Sequence, residues 1–90
     1  MDRNPKDTPF LVQVHLFARA RELAGSETVA VELSPGADVS QLRNALADHV
    51  PALRLLLPSA KIAINHDFAG DHCTIGPTDE VALIPPVSGG

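Results

Sequence analysis

Two stretches of this 90-residue chain hold groups that could do chemistry. The first, His66-Asp-Phe-Ala-Gly-Asp-His-Cys73, offers two histidines, two aspartates and a cysteine within eight residues. Such a set can ligate a transition metal, but structural zinc sites draw on fixed short spacings of thiolate and imidazole pairs that this segment lacks. Asp67-Phe68-Ala69-Gly70-Asp71 reads instead as a hairpin connection between strands, and no metal site is expected. Cys73 could act as a nucleophile if a cation lowered its pKa. His72 is the adjacent candidate, yet neighbouring strand residues point to opposite faces, so Cys73 reads as a small packed hydrophobe. No serine or carboxylate constellation for acid–base work stands out, and no glycine-rich loop precedes a helix to cradle phosphate.

The second stretch is the close, Pro85-Pro-Val-Ser-Gly-Gly90. With glycine near 7% of residues, a terminal Gly-Gly arises by chance about once in 200 chains, so composition alone accounts poorly for it. Pro85 and Pro86 cannot donate to a sheet ladder, so the last strand stops and the chain leaves the domain. Six extended residues reach about 20 Å. Behind the tip stand Pro86, Val87 and Ser88; Gly89 and Gly90 make a tip without side chains. Such a tip takes backbone angles that other residues cannot and fits a narrow channel. The chemistry expected here is presentation of the Gly90 carboxylate to another protein's active site; the alternative is a frayed, inert terminus.

The elements that would position this arm follow from periodicity. From Phe10 to Phe17 β-formers dominate, with Val12, Val14 and Leu16 on one face and Leu11, Gln13, His15 and Phe17 on the other. Residues 18–25 suit one or two helical turns closed by Gly25, and a second strand follows over 27–33 before the turn Ser34-Pro35-Gly36. Asp38 or Ser40 can cap a helix whose apolar side is Val39, Leu42, Leu46 and Val50, and Pro51 stops it. Residues 52–57 read as a buried turn, and strand signals return at 60–64, 71–75 and 80–84, with a turn over 76–79. The order predicts an α+β, ubiquitin-like β-grasp: a mixed four- to five-stranded sheet with one main helix packed on one face. The organisation is a flexible leader over 1–9, the domain over 10–84 and the extended tail over 85–90. If Val12, Val14, Leu16, Val81 and Leu83 face the helix, Phe17 and Ile84 face away. Phe68 has no place in the core pattern either. These three read as a partner surface rather than scattered exposed apolar residues.

Composition narrows the partners. Seven Lys and Arg against eleven Asp and Glu give a net charge of −4. That balance argues against nucleic acid and against anionic membrane. One cysteine allows no internal disulfide. No apolar run approaches the ~20 residues of a membrane span and no signal sequence opens the chain, so a cytoplasmic location is expected. With no Trp or Tyr, a stacking platform for bases or sugars is not expected.

The segment Phe17-Ala-Arg-Ala-Arg-Glu-Leu-Ala-Gly25, the pair Ile64-Asn65 and the close Asp79-Glu-Val-Ala-Leu-Ile-Pro-Pro-Val-Ser-Gly-Gly90 resemble the molybdopterin synthase small subunit, the MoaD-type sulfur carrier family. The likeness runs from about Val12 to Gly90. It implies that Gly90 is adenylated by an E1-like, ATP-using adenylyltransferase and converted to a thiocarboxylate with sulfur from a sulfurtransferase. The small subunit then docks on the large subunit, as a heterotetramer of two of each, and gives sulfur to a cyclic pyranopterin monophosphate to build the molybdopterin dithiolene. On this resemblance the chain is a non-catalytic donor subunit with no bound cofactor, and ATP is consumed by the activating partner. Phe17, Phe68 and Ile84 match docking positions of the family, which often carries an aromatic in place of Ile84. Sulfur carriers for thiamine, tRNA thiolation or cysteine also end in Gly-Gly, as do ubiquitin-like protein modifiers. Among the sulfur carriers, only the segment opening at Phe17 separates them.

Overall fold

Alternation of apolar and polar residues from Phe10 to Leu16 produces the first strand of a sheet, and each later element repeats the logic of one face buried and one exposed. The computed structural model describes residues 8–86. Its elements are β1 (Phe10–Leu16), α1 (Ala18–Ala24), β2 (Thr28–Leu33), α2 (Val39–His49), β3 (Lys61–Ile64), β4 (Asp67–Ala69) and β5 (Val81–Ile84). Short 3-10 turns lie at Pro51–Leu53 and Leu57–Ser59. The sheet order is β2-β1-β5-β3-β4, with β1 and β5 parallel and the other neighbours antiparallel. A mixed five-stranded sheet with α2 as its main helix is the β-grasp arrangement expected from the element order.

Val12, Val14 and Leu16 of β1, Val29, Val31 and Leu33 of β2, Ile62 of β3 and Val81 and Leu83 of β5 are all buried. They form one core with Val39, Leu42 and Leu46 of α2. Asp38 starts α2 with a capping box: its carboxylate accepts from the Gln41 amide at 3.0 Å, and the Gln41 side chain accepts from the Asp38 amide at 2.9 Å. Arg43, on the flank of α2, ties three segments together. It donates to the Leu57 and Ala60 carbonyls at 2.6 and 2.8 Å and to Asp71 at 3.1 Å.

Four expectations need correction. The run 71–75 is not a strand; it makes one isolated bridge, Asp38 to Thr74. Its backbone serves the start of α2 instead, where the Val39 and Ser40 amides donate to the Cys73 and Asp71 carbonyls. Helix amides of the first turn have no intrahelical acceptor, so this use competes with sheet pairing and wins. The fourth strand comes earlier, at Asp67–Ala69, within the segment read as a connection. Asn65 and His66 take φ of 52° and 74°, the two left-handed residues of a tight hairpin, so the chain reverses directly after Ile64 and Asp67 pairs back with it. Cys73 is exposed, not packed. Residues 52–57 are only partly a buried turn: Leu53 and Leu57 are buried, but Leu55 is 97% exposed.

Candidate functional site

The sheet face turned away from α2 has a cross-strand row of four residues. His15 pairs with Ala82, Ala82 with Ala63, and Ala63 with Phe68, across β1, β5, β3 and β4. Two alanines between a histidine and a phenylalanine leave the middle of the row hollow. Phe17 and Ile84 close one side of that hollow and His66 and Glu80 the other, giving a shallow depression of about 260 Å³. Phe17, Phe68 and Ile84, the residues singled out by parity and by resemblance, therefore line one surface. Phe17 is 49% and Phe68 66% exposed, and Ile84 is half-buried. The polar rim is ordered: Lys61 Nζ sits 5.0 Å over the Phe68 ring, and His66 Nε2 lies 3.7 Å from Glu80 Oε2.

A second, larger groove of about 700 Å³ adjoins the first and shares Phe17 and Ile84 with it. Arg19 and Glu22 of α1, Leu56, and Pro85 and Pro86 complete its walls. Pro85 is buried and Pro86 exposed, so the chain leaves β5 along this groove, at the margin of the apolar surface. Val87, Ser88, Gly89 and Gly90 lie outside the described residues. Phe17 is the residue just before α1, with extended backbone (φ −123°, ψ 152°), and Ala18 follows with φ of 51°. A left-handed alanine costs about 1–2 kcal/mol, and this one sits between two residues that line the grooves.

Asn65 and Asp79 fix the far rim. The Asn65 side chain donates to Asp79 at 3.0 Å and accepts from the Glu80 amide at 2.9 Å, while the Gly76 amide donates to the other Asp79 oxygen at 2.7 Å. The Gly76 amide first, and the Asn65 side chain second, hold the Asp79 carboxyl below its ordinary value of 3.8. A carboxylate with a depressed folded pKa adds stability that is present above its unfolded pKa and lost as pH falls through the folded one. The melting temperature of Asp79→Asn is therefore expected below wild type at neutral pH, with the gap narrowing as pH drops below 3.8. Thermal melts at neutral and acid pH read this directly.

The residues lining the two grooves are mostly apolar, with His15, Arg19, Glu22, His66 and Glu80 among them, a composition suited to binding a partner. Among the described residues no cluster of His, Cys, Asp and Glu could hold a metal ion. Sequence reasoning left His15, His66 and Glu80 unassigned. The signal for His15 was present, since it shares the alternating face of Phe17. The pairing of His66 with Glu80 depends on the β3–β4 turn, which the sequence reading placed elsewhere.

Residues 14–90 match the ThiS family. The molybdopterin synthase sulfur carrier subunit of Arabidopsis thaliana is 33% identical over 79 residues, spanning 88% of this chain and 82% of that one. Its namesake from Mycobacterium tuberculosis is 38% identical over 81 residues, spanning 88% and 96%. Among solved structures, SAMP1 from Haloferax volcanii aligns with a TM-score of 0.78 at 34% identity, covering 89% of this chain and 99% of that one. A chain in the complex of subunits 1 and 2 of molybdopterin-converting factor from Helicobacter pylori shares the fold, with a TM-score of 0.63 at 24% identity over 90% and 100% of the two chains.

Proposed function

The chain belongs to the ThiS family, and from that premise we propose that it is the sulfur carrier subunit of a molybdopterin synthase. One observation carries the reading on the structural side: the chain leaves the domain at Pro85–Pro86 beside a largely apolar surface built on Phe17, Phe68 and Ile84. A surface that binds, next to an arm that delivers, divides the labour between two proteins. The relatives named as sulfur carrier subunits support the same assignment.

In this proposal the Gly90 carboxylate attacks the α-phosphate of ATP on an E1-like adenylyltransferase, and pyrophosphate leaves. A carboxylate is a poor electrophile, and the acyl-adenylate supplies the missing leaving group. The terminal sulfur of a sulfurtransferase persulfide then displaces AMP to give an acyl disulfide, and a thiol reductant cleaves its S–S bond, releasing the thiocarboxylate and leaving a disulfide. The large subunit receives the tail and directs its sulfur to cyclic pyranopterin monophosphate, with two carriers and two large subunits in the assembly. The Helicobacter pylori complex of subunits 1 and 2 supports a large-subunit partner for a chain of this fold. Holding sulfur on a tether turns a diffusional encounter into a positioned one. No helix among the described residues is long and apolar enough to cross a membrane. Cytoplasmic residence is part of the proposal.

The test is the intact mass of the chain after incubation with ATP, its activating enzyme and a sulfur source. The expected product has one terminal oxygen replaced by sulfur and converts the pterin precursor when the large subunit is added. The likeness to the archaeal modifier SAMP1 supports one rival, conjugation of Gly90 to lysines. Stable amide links to many cellular proteins, without sulfur transfer, would establish that rival.

A further inference from the structure

The groove along which the chain leaves β5 has two sides, and the apolar face described above supplies only one. Phe17 and Ile84 stand on that side. On the other, the groove is bounded by Leu56, from the turn between α2 and β3, and by Arg19 of α1. Past these two residues a smaller hollow of about 230 Å³ continues to Leu23, Ala52 and Leu55. Leu55, at 97%, is the most exposed large apolar side chain among the described residues.

The backbone that presents Leu55 is held on every side. Leu53 and Leu57 are buried in the core. The Leu56 amide donates to the Leu53 carbonyl at 3.0 Å, and Arg43 reaches across from α2 to the Leu57 and Ala60 carbonyls. A single exposed leucine carries little weight alone. This one is continuous with the exit groove through Leu56 and Arg19, and its position relative to the tail gives it meaning.

Four residues follow Pro86, and fully extended they reach at most about 14 Å. A protein that takes Gly90 into a channel must come within that distance of Pro86. A channel encloses its occupant, so its mouth rests on both sides of the exit. One side meets Phe17 and Ile84; the other meets Leu56 and the surface that leads to Leu55.

We propose that Leu55, with Leu56 and Ala52, forms a second contact bank for the tail-receiving large subunit, across the exit groove from Phe17 and Ile84. The proposal rests on the carrier reading above and adds a second surface to its docking site. The chemistry that fits is an apolar pocket or ledge on the large subunit, wide enough for one leucine side chain.

Calorimetric titration of the full chain into its large subunit tests this, using wild type, Leu55→Asp, Leu55→Ala and Phe17→Asp, each with a thermal melt. Leu55→Asp is expected to weaken binding about tenfold and Leu55→Ala less, with unchanged melting temperature and unchanged adenylation by the activating enzyme. Wild-type affinity in Leu55→Asp alongside lost affinity in Phe17→Asp would overturn the second bank while leaving the carrier reading in place. Wild-type affinity in both would mean that the docking reading itself has failed. Impaired adenylation with intact large-subunit binding would give the bank to the activating enzyme and overturn the proposal. So would a free dimer that becomes monomeric in Leu55→Asp, since a second copy would then be the occupant.

Discussion

Deleting Gly90, or adding one residue after it, is expected to abolish sulfur transfer while leaving the melting temperature within experimental error of wild type. In the proposed reaction an oxygen on the Gly90 carboxyl carbon must lie at attacking distance from the α-phosphorus of ATP, and later the sulfur that replaces it must reach the pterin precursor. One residue more or less moves that carbon by about 3.5 Å along an extended chain. A misplacement of about 1 Å can already cost on the order of a hundredfold in rate, so a shift of this size leaves no measurable transfer. Stability is spared because the core formed by β1, β2, β3, β5 and α2 is complete before Pro85. Gly89→Leu is expected to act in the same direction, since a channel shaped for bare backbone has no room for a branched side chain. The measurements are intact mass for thiocarboxylate formation and pterin conversion with the large subunit. An extended, blocked terminus that still supports conversion would overturn the carrier reading.

The order of elements was legible because each of the long ones keeps a single period. Val12, Val14 and Leu16 recur every second residue, and Leu42 and Leu46 recur at helical spacing, so the sequence alone marks their buried sides. The same parity exposed Phe17 and Ile84, since a residue one step from a core position must point the other way. What was not legible depends on contacts remote in sequence. Nothing local in Asp71–Ile75 tells that its carbonyls accept from the first amides of α2; that requires knowing where Val39 and Ser40 lie in space. Phe68 was recognised as lying outside the core but not as a strand residue. A three-residue strand has too few positions for a period to show, and the left-handed pair Asn65-His66 that sets its register leaves only a weak mark in composition. Leu55 was misread for a related reason. In an apolar run such as 52–57 every residue has the same claim to burial, and the turn geometry alone decides which of them is left outside.

Replacing Phe17 or Phe68 by aspartate is expected to weaken large-subunit binding by about 2–4 kcal/mol, the range of a central aromatic anchor. The two side chains stand on opposite sides of the hollow left by Ala63 and Ala82, so a partner filling that hollow contacts both. A charge at either position would have to be desolvated against an apolar surface without a guaranteed partner. Phe68→Asp should be the milder of the two, because Lys61, now 5.0 Å from the ring, can turn to meet the new carboxylate. Around Phe17 the depression holds Ile84, Ala82 and His15, and Arg19 in the adjoining groove is already paired with Glu22 at 3.4 Å. It also follows directly from β1 and precedes the left-handed Ala18, so its placement is fixed by backbone on both sides. The fold should survive either change, since both rings are about half or more exposed and neither belongs to the core beneath α2. Equilibrium titration with the large subunit and thermal melts of each variant separate the two effects. A variant that unfolds would show that the ring supports the sheet, and one that binds as tightly as wild type would move the docking surface off this face.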